Sequence, residues 1–280
     1  MGLLSKLKET KSSKNDQAKV IAFINQKGGV GKTTMAFNVA HALKCKNKKV
    51  LCLDLDPQAN LSLLLGDSLD SENNIFQLMI NSIRELKALH KPLLVSDVIK
   101  SSEGVDYIPS TQMLSGFELS VAGISSARPL ILKNFLLKSG LSDIYDYILI
   151  DGPPTLGLLV VNILCASNGV MVPFRPDDFS KKGLEHFYDV LEDVEDMGIV
   201  TAPKVLAHIP NLVDTRRKQE VADLEDIKNK FNTPVVNPFI NRAMLVKSQS
   251  QKKSVFSYNS KEFNELKDKF IELADIIERA

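Results

Sequence analysis

No apolar run in this chain of 280 residues reaches the roughly 18 residues that a helix needs to cross a bilayer, so a membrane span is not expected. Cysteine is scarce. Cys45, Cys52 and Cys165 show no C-x-x-C spacing and cannot all pair, which argues against a disulfide framework or a cysteine-held cluster and for a reducing, cytoplasmic setting. An excess of one charge is lacking as well: 35 Lys and Arg stand against 34 Asp and Glu, a net charge of +1. The chain as a whole is therefore not drawn to nucleic acid or to a membrane surface, and any such binding must come from local segregation of charge. Met1 to Leu7 lack the long apolar core and small-residue cleavage site of a secretory signal. The segment also carries its hydroxyl at Ser5 rather than at position 6, which breaks the myristoylation pattern.

What is present is ordinary for a globular protein, with 44% hydrophobic and 25% charged residues. Residues 1–18 are rich in Lys and Ser and are expected to be a flexible lead, with Leu3, Leu4 and Leu7 sharing a face if the stretch is helical. Residues 19–280 are expected to form one domain. There, "KVIAFIN", "KVLCLDL", "YDYILID", "NGVMVPF", "PKVLAHIP" and "TPVVNPF" are apolar runs, most of them separated by helical-looking segments. Continuous rather than alternating runs mark strands buried on both faces. The expected fold is α/β, a doubly wound, mostly parallel sheet flanked by helices, with helices and loops in the less regular stretch from Gly66 to Ser126. Phe263, Leu266, Phe270, Leu273 and Ile277 lie at three- and four-residue spacing and predict a last helix packed on the sheet.

The run ending at Ile24 leads straight into "NQKGGVGKTT", followed by a helical pattern from about Lys32. Gly28, Gly29 and Gly31 let backbone N–H groups approach phosphate oxygens, and the following helix start adds partial positive charge. Lys32 is placed to reach the β- and γ-phosphates and Thr33 to ligate Mg²⁺. The loop departs from G-x-x-x-x-G-K-[ST] at its first position, where Gln26 stands, and it adds a second cation, Lys27. "LDLDPQAN" sets Asp54 and Asp56 two residues apart, so both carboxylates leave the strand on one side, and Pro57 stops the ladder. "YILIDGPPTLG" ends an apolar run in Asp151.

Together these segments resemble the ParA/MinD family of deviant Walker A P-loop ATPases. "KGGVGKTT" matches that motif at every fixed position, "DLDPQAN" resembles the family's switch I, and "DGPPTLG" its Walker B with switch II. The resemblance, closest to the short Soj-like ParA group, covers most of Lys19 to Ala280. It implies that Lys27 to Thr34, Val30 included, hold ATP, and that Lys27 acts across a nucleotide-sandwich homodimer. It also implies that Asp56 orients the attacking water, that Thr33, Asp54 and Asp151 serve the Mg²⁺, and that Asn211 in "LAHIPNLVDTR" contacts adenine. A cation supplied in trans to a transferring phosphoryl group is worth about 10³ to 10⁵ in rate. The family further implies a slow ATP switch in DNA segregation or cargo positioning, stimulated by a ParB-like or cargo-adaptor partner. "NPFINRAMLVKSQSQKKSVFSY" matches the family's late conserved segment only loosely.

Cysteine-paired and tyrosine-tailed relatives are not expected, nor is a long-type ParA, whose leading DNA-binding domain would not fit in the 18 residues before Lys19. A MinD-like membrane regulator and a non-hydrolysing scaffold remain as alternatives, the first disfavoured because the last helix balances its lysines with acids. Ile227 to Lys261 contain no Asp or Glu, and "TRRK" precedes them. Arg216, Arg217, Arg242, Lys247, Lys252 and Lys253 are thus candidates for sequence-independent contact with duplex DNA, while Asp177 to Asp196 are strongly acidic. One basic and one acidic surface, and association with the nucleoid, are the corresponding expectations.

Overall fold

The computed structural model describes residues 17–68, 72–177, 180–231, 233–240 and 242–280, with the side chain of Arg242 outside that description. Most of the expected lead, residues 1–16, also lies outside it. The strands are Lys19–Phe23 (β1), Val50–Asp54 (β2), Lys100–Ser102 (β3), Val105–Ile108 (β4), Tyr147–Asp151 (β5), Gly169–Phe174 (β6) and Lys204–Pro210 (β7). The α-helices are Lys32–Cys45 (α1), Asn60–Leu64 (α2), Ile75–Ser82 (α3), Phe117–Ser120 (α4), Ile131–Ser139 (α5), Leu158–Ala166 (α6), Ser180–Asp196 (α7), Lys218–Lys230 (α8), Arg242–Ser250 (α9) and Asn264–Arg279 (α10). The strands form one sheet in the order β3-β4-β2-β5-β1-β6-β7. All neighbours pair in parallel except β3 with β4.

Every residue of β2, β5 and β6 is buried, as continuous apolar runs between two helical layers require. One face of the sheet packs on α1 and α10, the other on α3, α5, α6 and α7. On the α1 and α10 side Phe263, Leu266, Phe270, Leu273 and Ile277 are each at most 1% exposed, and α10 lies against α1. Its apolar face is consumed by the core.

Two expectations change. "TPVVNPF" is not a strand: it makes only isolated bridges, Val235 to His208 and Phe239 to Asn211, because Pro234 and Pro238 have no N–H to continue a ladder. The stretch from Gly66 to Ser126, expected to hold helices and loops, contains β3 and β4. They are joined by Glu103 and Gly104 at φ 46° and 77°, the left-handed pair that a tight hairpin requires.

The parallel strands end along one edge. Connections from β1 to β2 and from β5 to β6 run to opposite sides of β1, so the loops after β1, β2, β5 and β7 meet at the point where winding reverses. In open α/β sheets that is the ligand crevice.

Candidate functional site

The loop from Ile24 to Gly31 joins β1 to α1. Gly31 has φ 99° and no side chain caps the helix behind it, nor is there an acidic residue in the first turn. The leading N–H groups of α1, which have no intrahelical carbonyl to bond, are thereby kept for an anion. A Cβ on Gly31 would run into the Asn211 amide. That amide donates to Val30 O at 2.8 Å, and its oxygen accepts from Leu212 N–H at 2.9 Å. Asn211 therefore clamps the loop to the end of β7, from which its side chain lines the same cleft.

The cleft encloses about 710 Å³ and brings together Gly28, Gly29, Gly31, Lys32, Thr33 and Thr34 with Asp56, Pro154 and Asn211. It is bounded on one side by Leu63 and Leu64 of α2 and on the other by Leu245 and Val246 of α9. A crevice of this volume with a few convergent polar groups suits a small ligand.

Lys32 is 6% exposed and donates to Lys27 O at 3.3 Å. Burial pulls its pKa down, while the facing charges of Asp151 and Asp56 push it up. Thr33 Oγ1 donates to Asp151 Oδ2 at 2.6 Å. The other Asp151 oxygen, Oδ1, is buried without a hydrogen-bond partner among the described residues, and burial first and Asp54 second hold that carboxyl well above the usual range. A buried acceptor with nothing to accept from, beside a threonine hydroxyl, fits a hard, oxygen-seeking cation such as Mg²⁺.

Asp54 is held differently. Its Oδ2 accepts from both the N–H and the hydroxyl of Ser62 at 2.7 Å, and its Oδ1 from Asp56 N–H at 3.2 Å. Burial nonetheless raises its pKa to about 7. Both oxygens are committed to folding the turn between β2 and α2, so Asp54 here orders switch I rather than facing the cleft. Asp56 does face it, with Oδ1 accepting from Gln58 N–H at 3.0 Å.

Lys27 points elsewhere. Its Nζ pairs with Asp177 in the turn before α7, and neighbouring Gln26 donates to Gly183 O of α7 at 3.0 Å. Asp177 also accepts from Ser180 N–H at 3.1 Å. The additional cation of the loop is thus held in cis, with side-chain exposures of 37% and 30% for the pair.

The basic candidates divide. Arg216 is bidentate on Asp214, at 2.8 and 2.9 Å, and Arg217 reaches Glu220 at 3.4 Å. Lys230 of the basic run pairs with Glu185 of the acidic one, and Lys181 lies 3.8 Å from Asp226. The expected separation into one basic and one acidic face is therefore incomplete, because α7 and α8 mix their charges. Lys247, Lys252 and Lys253 are exposed and make no ion pair among the described residues. Asp177, Ser62 and Gln249 are site residues that the sequence did not single out, since their partners lie far away in the chain.

A mostly parallel sheet with a glycine loop at its switch point, a buried lysine and a threonine–aspartate pair defines a P-loop nucleotide-binding protein. Residues 18–203 match the model of a family described as an AAA domain. The chain is 32% identical over 248 residues to the sporulation initiation inhibitor protein Soj of Bacillus subtilis, covering 86% of this chain and 91% of that protein. It is 30% identical over 245 residues to the chromosome partitioning protein ParA of Caulobacter vibrioides, covering 87% and 88%. Among solved structures, cobyrinic acid a,c-diamide synthase from Mycobacterium smegmatis with bound ATP analog and magnesium superposes with a TM-score of 0.76 at 27% identity, over 94% of each chain. The chain belongs to the ParA/MinD-type P-loop ATPases.

Proposed function

We propose that this protein is a partition ATPase: it binds ATP with Mg²⁺, dimerises in that state, and hydrolyses ATP slowly as a switch that moves DNA or another cargo. The observation that carries the reading is the group of buried Lys32 and Asp151 with half-buried Thr33, in which one carboxylate oxygen lacks a partner among the described residues. The relatives named for chromosome partitioning and the neighbour holding an ATP analogue with magnesium support it.

In this reading Gly28 to Thr34 cradle the phosphates, Lys32 neutralises the β- and γ-oxygens, and Thr33 and Asp151 hold the Mg²⁺, which when bound offsets charge on the phosphates. Asp56, at the γ end of the cleft, orients water. Asn211 fixes the base side. Lys27 leaves Asp177 and completes the site of the second subunit. Residues 19–280 act as the ATPase domain and residues 1–18 as a lead.

DNA contact without sequence readout falls to the exposed lysines Lys247 and Lys253, together with Arg242, Arg216 and Arg217, the last two at the expense of their pairs with Asp214 and Glu220. Each adds little alone and gains by avidity when two subunits join. This places the protein on the nucleoid in the cytoplasm, with a ParB-like or cargo-adaptor protein as the stimulating partner. Among the described residues no helix is long and apolar enough to cross a membrane.

The test is sizing chromatography and duplex DNA binding with ATP, ADP or no nucleotide. Dimer formation and DNA affinity that appear with ATP alone support the proposal. An ATP-bound monomer without affinity for random duplex at low salt overturns it.

A further inference from the structure

Lys252 occupies a backbone position that lysine does not favour. Lys253 N–H donates to Ser248 O at 3.0 Å and Lys252 N–H to Gln249 O at 2.9 Å, the two bonds of the turn that ends many helices and that normally sets glycine in the left-handed conformation. Lys252 stands there with φ 51°. A Cβ in that region costs stability, which a surface position does not need to bear.

The side chain explains the choice. Lys252 lines the phosphate cleft, as do Gln249 and Ser250 of α9, whereas Lys247 and Lys253 do not. Gln249 Nε2 donates to Thr34 Oγ1, so the end of α9 is seated on the first turn of α1. Thr34 lies one residue beyond Thr33 and inside the helix, while in the nucleotide reading the γ end of the cleft is the one that Asp56 lines. The end of α9 therefore faces the inner part of a bound nucleotide, not its terminal phosphate.

We propose that Lys252 and Gln249 form a second binding wall for the nucleotide, with the Lys252 ammonium donating to the ribose–α-phosphate portion and Gln249 giving up Thr34 as that portion enters. The inference rests on the nucleotide reading of the cleft. It moves Lys252 from the DNA surface, where charge alone had put it, into the ATP site. ATP and ADP share the contacted portion, so the contribution is the same for both, in contrast to that of Lys32.

Lys252→Gly tests this, because glycine suits the backbone and the variant folds at least as well as the wild type. Binding of fluorescent ATP and ADP analogues and the melting temperature are measured for wild type, K252G and K252R. The expected result is a melting temperature raised by a few degrees without nucleotide, with affinity for both nucleotides reduced about ten-fold, the loss of one charge-assisted hydrogen bond. K252R retains most of the affinity. Gln249→Ala weakens both nucleotides, and less than K252G does. If wild type binds nucleotide and K252G binds both equally well, the inference is wrong while the nucleotide reading stands. Loss confined to ATP, or loss of DNA affinity with nucleotide binding intact, also overturns it. Failure of wild type to bind either nucleotide removes the underlying reading itself.

Discussion

Lys27 and Asp177 form an ion pair that ties the glycine loop after β1 to the turn before α7. The pair joins residues 150 positions apart and holds, within one subunit, the cation proposed to serve the other. A bond that must open before the dimer's sites are complete raises the threshold for dimerisation by its own strength, a modest one at this exposure.

Asp177→Asn removes the charge and keeps an oxygen for Ser180 N–H, so the start of α7 survives. The ATP-dependent dimer then forms at several-fold lower protein concentration, as read by sedimentation velocity across a dilution series. An unchanged or higher concentration threshold contradicts the role of the pair as a restraint.

Lys32→Ala and Lys27→Ala separate the two cations of the loop. K32A loses ATP affinity by about 100-fold or more, because a buried phosphate contact disappears and Asp151 and Asp56 lose their facing charge. K27A keeps most of its ATP affinity, dimerises only at higher protein concentration, and loses turnover. Calorimetric titration of both variants gives the comparison, and equal loss of affinity in the two denies Lys27 its separate role.

The same geometry shows how far the sequence could be read. β1, β2, β5, β6 and β7 and the glycine loop are local patterns, and each sits where its pattern predicts, whereas of Asp54 and Asp56, expected on one side, only Asp56 lines the cleft. β3 and β4 are three and four residues long, too short for periodicity, and only the Glu103-Gly104 turn marks them. "TPVVNPF" looked like a strand because apolar content does not register the missing N–H groups of its prolines. The seating of Gln249 on Thr34 and of Lys27 on Asp177 depends on which loops the sheet order brings together, and no local spacing encodes that.

Asp56→Ala leaves Lys32, Thr33 and Asp151 in place, and Asp54 stays bonded to Ser62. ATP binding and the ATP dimer therefore persist while phosphate release falls about 100-fold or more. Light scattering and a phosphate-release assay on one preparation test this, and a monomeric D56A with ATP assigns Asp56 a structural role instead.

Acid weakens the fold through His208. It is fully buried beside Phe174, Tyr188 and Phe231, with Nε2 3.3 Å from the Tyr188 hydroxyl, and burial lowers its pKa from 6.5 to about 4. The folded state therefore keeps it neutral while the unfolded chain takes up a proton. The stability this gives is complete above pH 6.5 and is lost as pH falls toward 4. Denaturant titrations through that window show wild type losing up to about 3 kcal/mol from this group. His208→Asn flattens the curve by a similar amount; an unaltered slope contradicts the assignment. His41, also buried with its pKa lowered by burial, contributes in the same direction and remains in the variant.

The central claim is that Lys27 completes the active site of the other subunit, and mixing two inactive variants tests it directly. K27A retains Asp56, D56A retains Lys27, and in a mixed dimer the K27A subunit receives Lys27 from its D56A partner. At protein concentrations high enough to dimerise K27A as well, random pairing makes half the dimers mixed, each with one complete site, so an equimolar mixture recovers about a quarter of wild-type ATP turnover although neither variant turns over alone. Mixed dimers that form with ATP and hydrolyse nothing would show that Lys27 acts within its own subunit.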